Sequence, residues 1–193
     1  TFALSLPILL LLIGVIVQWA LVANARLAIN RAANAAARTA MTVLPTDPQL
    51  EPGGPPMVRR SALIVLAGLS PVSQEGATSD AQEVAQALEN CGLTLPDRYD
   101  LRYTHADQAT TLDIEPEGTQ WGGWTELTHL HAPEAVITLT YKFRLTVPGA
   151  MFIGQHETVA GVEGYYLTMT AVRHVQLSDG REANSTIVAG GGT

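Results

Sequence analysis

His129 and His131 stand two residues apart in the stretch THLHAP. On a strand that spacing aims both imidazoles to one side, the start of a metal site. Two nitrogens are too few for zinc, so a third ligand such as Glu126, Glu134, His105 or His156 would have to converge on them in space. The bland reading, solvated loop histidines, is preferred, and no metal or cofactor is expected. Trp121 and Trp124 flank two glycines in WGGWTE. The pair is either an adhesive surface patch or the filling of a core or intersubunit gap, and the second is favoured. Asn184 opens an N-S-T triplet that fits an N-glycosylation sequon. Cys91 is the sole cysteine, which excludes an intrachain disulfide and a Cys-based zinc site. The chain contains no G-x-S-x-G, no P-loop and no H-E-x-x-H motif. An enzyme is therefore the least supported class, and no catalytic residue is nominated.

The elements that carry these residues begin with an apolar run. From Phe2 to Ala23 there is no charged side chain, and at 1.5 Å per residue this stretch reaches roughly 33 Å, enough to cross a bilayer's hydrocarbon core. A signal peptide would show a basic leader, a shorter apolar core and a cleavage site, so Thr1 reads instead as a processed terminus. The nearest positive charges, Arg26, Arg31 and Arg38, all follow the run, which taken literally places the remainder in the cytoplasm. A basic leader removed from the other side would cancel that count, so orientation stays open on charge alone.

Helical grammar continues beyond the run. ANARLAINRAANAAARTAM is nearly half alanine, the strongest helix former, and no proline interrupts until Pro45. One helix of about 40 residues is expected, some 60 Å long. Asn24, Asn30, Arg31, Asn34 and Arg38 make a polar stripe, while Ala25, Ala28, Ala32, Ala36 and Ala40 make a small-residue face that permits close helix approach. Pro7 cannot donate to the Ala3 carbonyl, so the regular helix either starts near Ser5 or Leu6 or is kinked there; Gly14 is a second weak spot.

PTDPQLEPGGPP, with five of the chain's eleven prolines, reads as a semi-rigid linker. The organisation expected is a helix over 1–44, a linker over 45–57, a globular head over 58–178 and a flexible tail over 179–193. In the head, ALIVLAGL (62–69) reads as a buried strand, although its period alone does not exclude helix. SDAQEVAQALENCG reads as a helix with Ser79 as N-cap, Gly92 as the stop and Cys91 on the core face. YDLRYTHA (99–106) and ATTLDI (109–114) read as further strands. The strongest β signal is AVITLTYKFRLTVP, where Ile137, Leu139, Tyr141, Phe143, Leu145 and Val147 alternate with polar residues. YYLTMTAVRHVQL repeats it, with Tyr165, Leu167, Met169, Ala171, Val175 and Leu177 on one face and Arg173 as the exception, so the two strands are expected to pair antiparallel. The fold class is α+β: a long N-terminal helix followed by an antiparallel sheet head with short helices. Outside the first 41 residues eight Lys and Arg face eighteen Asp and Glu, which argues against a nucleic-acid partner.

This order of features resembles the TadE/TadG-like pilin relatives of tight-adherence and type IV filament systems. FALSLPILLLLIGVIVQWALVANARLAINRAANAAARTA is similar to their EFALVLP start, apolar run and alanine helix, and VITLTYKFRLTVPG with YYLTMTAVRHV is similar to their closing strands. The chain departs from the family pattern in one respect: Thr1 stands where an acidic residue precedes the phenylalanine, and no acid occurs before Asp47. Subunit register would then come from packing and from the terminal amine meeting Ser5, Gln18 or a backbone carbonyl. The resemblance implies cleavage by a prepilin peptidase, storage in the cytoplasmic membrane with the C-terminal part outside, and extraction by a pilus assembly machine into a homopolymeric extracellular filament. The helix-packing residues nominated are Phe2, Leu6, Pro7, Leu10, Gly14 and Val17 with the alanine face of Ala25, Ala28, Ala32, Ala36 and Ala40. Two alternatives stand beside the filament subunit: a non-polymerising, membrane-anchored accessory of the same machine, and a membrane-anchored sensor or ligand-binding head.

Overall fold

A computed structural model of the protein describes residues 2–44, 55–117, 134–146 and 153–176. Four helices precede four strands: α1 (Phe2–Val43), α2 (Pro56–Ala67), α3 (Ser79–Asn90), α4 (Tyr99–Ala109), β1 (Thr110–Glu117), β2 (Glu134–Leu145), β3 (Gln155–Val159) and β4 (Val162–Gln176). The strands form one antiparallel sheet in the order β1-β2-β4-β3. This is the α+β layout read from the sequence, and β2 and β4 pair over twelve residues, Ile137 opposite Arg173 and Tyr141 opposite Met169. Alternation along β2 sends Ile137, Leu139, Tyr141, Phe143 and Leu145 into the core, while Thr138, Thr140, Lys142 and Arg144 are less buried. Val147 and Leu177 lie outside the described residues.

Two segments read as strands are helices. Residues 62–69 belong largely to α2, which starts earlier, at Pro56: proline needs no donor at a first helical position and its φ is preset. Val58, Ala62, Leu63, Leu66 and Ala67 are the buried residues, spaced by three and four, so an apparently continuous apolar run is one helical stripe. Residues 99–106 form α4, where Tyr99, Tyr103 and Ala106 turn inward at the same spacing. Polar side chains of the same helix tie it to its neighbours: Arg102 donates to the Ser70 carbonyl at 3.2 Å, and Asp107 accepts from Arg59 at 2.8 Å. ATTLDI is a strand as read, one residue later, as β1.

The cap of α3 also shifts. Thr78, not Ser79, is the N-cap, its hydroxyl accepting from the Ala81 amide at 3.3 Å. At the other end the Gly92 amide donates to Glu89 and the Leu93 amide to Leu88, with Gly92 at φ +80°, a left-handed stop that glycine takes without strain. Cys91 is exposed and not a core residue: along its face of α3 burial falls from Ala81 and Val84 to the half-buried Leu88, so the C-terminal end of the helix runs past the core.

The two-residue turn between β3 and β4, Ala160-Gly161, has both φ values positive, at 52° and 73°, as a tight hairpin requires. Its Ala160 carbonyl accepts from the Gln74 amide at 3.0 Å and the Ser73 hydroxyl at 3.2 Å, so the loop after α2 holds the hairpin.

One core joins all these elements. Leu63, Leu66, Tyr103, Leu112, Ile137, Leu139, Tyr141 and Tyr166 are essentially sealed, and the same cluster contains Ala25, Ile29, Ala32, Ala33, Ala36 and Ala40 of α1. The Tyr141 hydroxyl meets the Ser70 hydroxyl at 2.8 Å, and burial pushes that phenol up to about 12. His105 is fully buried on α4, its ring stacked on Tyr166. The Tyr166 hydroxyl donates to the Val162 carbonyl at 2.8 Å and so can accept from His105 Nε2 at 3.4 Å, while Nδ1 has no hydrogen-bond partner. Burial first, and Arg144 second, lower this imidazole from 6.5 to about 4.

Two outcomes follow from this packing. Ala36 has no exposed surface, so Ala36→Leu should overpack the α1 contact and destabilise the detergent-solubilised chain by about 1–3 kcal/mol in chemical denaturation. An unchanged midpoint would contradict the close packing. For His105, the unfolded chain takes up a proton as the pH falls through about 6.5 and the folded chain does not until about 4. Stability present above about pH 6.5 is therefore lost progressively towards pH 4, and His105→Phe should show a shallower loss across that window, whereas identical slopes would refute a buried neutral imidazole.

Candidate functional site

Helix α1 changes environment along its length. Its first half is an apolar rod: Leu6, Leu10 and Val17 are exposed together with Ile8, Leu9, Leu11, Leu12, Ile13, Val15, Ile16 and Trp19, and Gly14 is half-buried. Helical geometry runs from Phe2 through Pro7, so the helix does not wait for Ser5 or Leu6 to begin. Mean hydropathy and length suffice to cross a membrane, and only 11% of the most apolar window is buried within the chain. A contiguous apolar surface of this size needs a cover of lipid or protein.

From Val22 onward a repeating face turns inward. Ala25, Ala32, Ala36 and Ala40 are buried and Ala28 is half-buried, with Ile29 and Leu44 completing the row. This face packs on α2, β4 and β2. The close approach that alanine permits is thus made inside the chain, against its own head. Alanine also lowers the entropy cost of the contact, since it has no rotamers to fix.

A polar clamp sets the crossing. Arg173 on β4, the exception to the apolar face, donates from Nε to Asn34 Oδ1 at 2.6 Å and from Nη2 to Asn30 Oδ1 at 2.8 Å. The Asn30 amide nitrogen donates in turn to the Arg26 carbonyl at 3.0 Å. Two members of the polar stripe are therefore the seat of the one cation that broke the strand pattern. The pairing itself was not foreseen, although an arginine out of phase on β4 and two asparagines one helical turn apart were both visible. A second clamp, also unforeseen, ties α2 to α3 and α4: Arg60 pairs with Asp80, which accepts from the Tyr103 hydroxyl at 3.0 Å, and Arg59 donates to the carbonyls of Asp107 and Thr110. Burial first, then Asp80, raises the Tyr103 phenol well above its ordinary range.

The nominated metal and surface residues are not brought together. His129, His131, Trp121, Trp124 and Asn184 lie outside the described residues, as does Glu126. His105 is sealed beside Tyr166, and His156 sits on β3 at 3.4 Å from Glu163, packed edge-on to Tyr165. Among the described residues no group of three or more His, Cys, Asp or Glu side chains is placed to hold a metal ion.

The segment with these properties is also the one that comparison identifies. No curated protein and no solved structure matches the chain. The family and the apolar helix fit a membrane-anchored pilus component. Residues 2–38, from the start of the apolar rod to near the end of the alanine face, match the model of the TadE-like protein family.

Proposed function

We propose that this protein is a structural subunit of an extracellular pilus-like filament, assembled through its N-terminal helices after storage in the cytoplasmic membrane. The observation that carries the reading is the apolar rod from Leu6 to Trp19, whose large apolar side chains are all exposed while one face of the remainder of α1 is seated on the head. Each large apolar side chain left in water forgoes about 1.5–3 kcal/mol, so the rod needs a cover at every stage. Lipid provides it first, and copies of the same rod provide it in a polymer. A head-to-tail contact of this kind repeats without closing and gives an open helical filament. Leu6, Leu10, Gly14 and Val17 form the contact between subunits, with Gly14 as the point of closest approach. The alanines from Ala25 to Ala40 serve the joint between stalk and head. A prepilin peptidase and a pilus assembly machine are the partners this reading requires, and its role is structural, not catalytic.

A specific observation favours a second reading. Because the alanine face of α1 is covered by its own head, that small-residue surface is not free for axial packing between copies, which is also what a non-polymerising anchored accessory needs. The two readings separate on the cell surface. Gly14→Ile should leave membrane insertion intact and abolish recovery of the chain in sheared filaments seen by negative-stain electron microscopy. Filaments of normal abundance from that variant would remove Gly14 from the contact, and a wild-type chain found only in membranes would favour the accessory.

A further inference from the structure

The polar clamp leaves a cleft beside it. Arg26, Ile29 and Asn30 of α1 and the run Leu167 to Ala171 of β4 line a cavity of about 380 Å³, within the range of small-ligand sites. Its walls are unlike those of the rest of this acidic chain. No acid lines it. Arg173 is held by Asn30, Asn34 and the Val172 carbonyl, whereas the Arg26 guanidinium has no partner among the described residues. Ile29, Leu167, Met169 and Ala171 supply an apolar side.

The strand contributes donors. Pairing of β3 with β4 ends at Tyr166, so among the described residues β4 pairs from Leu167 onward only with β2. In an antiparallel ladder alternate residues turn their N–H and C=O away from the partner, so this free edge presents unpaired N–H groups along the cleft. Thr168 and Thr170 line it through their backbone, since their side chains turn to the opposite face of the sheet, where the Thr170 hydroxyl meets that of Thr140 at 3.2 Å. One unpaired guanidinium and edge amides above an apolar wall suit a phosphate monoanion or diester that carries a hydrophobic part.

Depth selects the source. Trp19 is exposed at the end of the rod, where an aromatic side chain sits at a membrane interface. Arg26 is seven residues further on, about 10 Å along the axis. The headgroup layer extends roughly 5–8 Å beyond the hydrocarbon core, so the Arg26 backbone lies just outside it, and its long side chain, leaning toward the helix N-terminus, reaches back to the level of lipid phosphates. We infer that the α1–β4 cleft binds the phosphate headgroup of an anionic phospholipid and seats the head on the membrane surface. The inference rests on the membrane-anchored state proposed above.

The test uses the full chain. Flotation with phosphatidylcholine vesicles comes first: a chain that does not float fails the anchored reading and the inference with it. A chain that floats is then titrated in phosphate-free maltoside micelles with short-chain phosphatidylglycerol, and separately with inorganic phosphate, while NMR follows the Thr168 and Thr170 amides and Arg26 Nε–H. The expected result is saturable shifts with the phospholipid, a weakening of roughly tenfold or more in Arg26→Gln, and no change in Arg31→Gln, since Arg31 does not line the cleft. Absent shifts, or a response that Arg26→Gln leaves intact, would overturn the inference while the anchor stands. Equal saturation by inorganic phosphate would reassign the cleft to a free anion. Shifts that grow with protein concentration alone would assign the β4 edge to strand addition by a second copy.

Discussion

Close approach of the alanine face of α1 to α2 and the sheet is the contact on which the rest of this molecule depends. Without it the sheet would lack a cover on one side, since Ile137, Leu139, Met169 and Ala171 belong to the same apolar cluster as Ala25, Ile29, Ala32 and Ala36. Larger residues at those helix positions would hold the helix away and reopen the core. The clamp from Arg173 to Asn30 and Asn34 adds direction to a contact that apolar packing alone would leave free to slide. Such a charge-assisted pair at a part-exposed edge contributes modestly to stability, and its value is in fixing one crossing geometry.

That contact divides one continuous helix into two surfaces with different solvents. Residues up to Trp19 present apolar side chains outward, and residues from Val22 onward turn alternating helical positions into the head. The transition takes less than one turn. A rigid helix that is half anchor and half core transmits the orientation of the membrane, or of a filament axis, directly to the sheet, with no hinge between them among the described residues.

Much of this was legible in the sequence, and the failures have physical causes. The apolar run, the alanine helix and the alternation along β2 and β4 are strong periodic signals, and each became the element it implied. ALIVLAGL and YDLRYTHA misled because short apolar runs satisfy both periods: Leu63, Leu66 and Ala67 make a helical stripe only once Pro56 is recognised as a first-turn residue. Cys91 misled because its helical spacing continues the face of Ala81 and Val84 past the point where α3 leaves the core. The tertiary partner of the alanine face was not legible at all. Small residues at helical spacing announce close approach, but sequence does not say whether the approaching surface belongs to another copy or to the same chain. Arg173 carried the missing clue, a cation on an apolar face that needed acceptors from whatever packed there.

Amide hydrogen exchange, read by mass spectrometry on the full chain in lipid nanodiscs, tests the central claim most directly. If the alanine half of α1 is part of the core, amides from Val22 to Leu44 exchange in the same slow, cooperative step as those of β2 and β4. Early exchange of that segment while Ile137, Leu139 and Met169 stay protected would show a stalk that folds apart from its head, and would contradict the account.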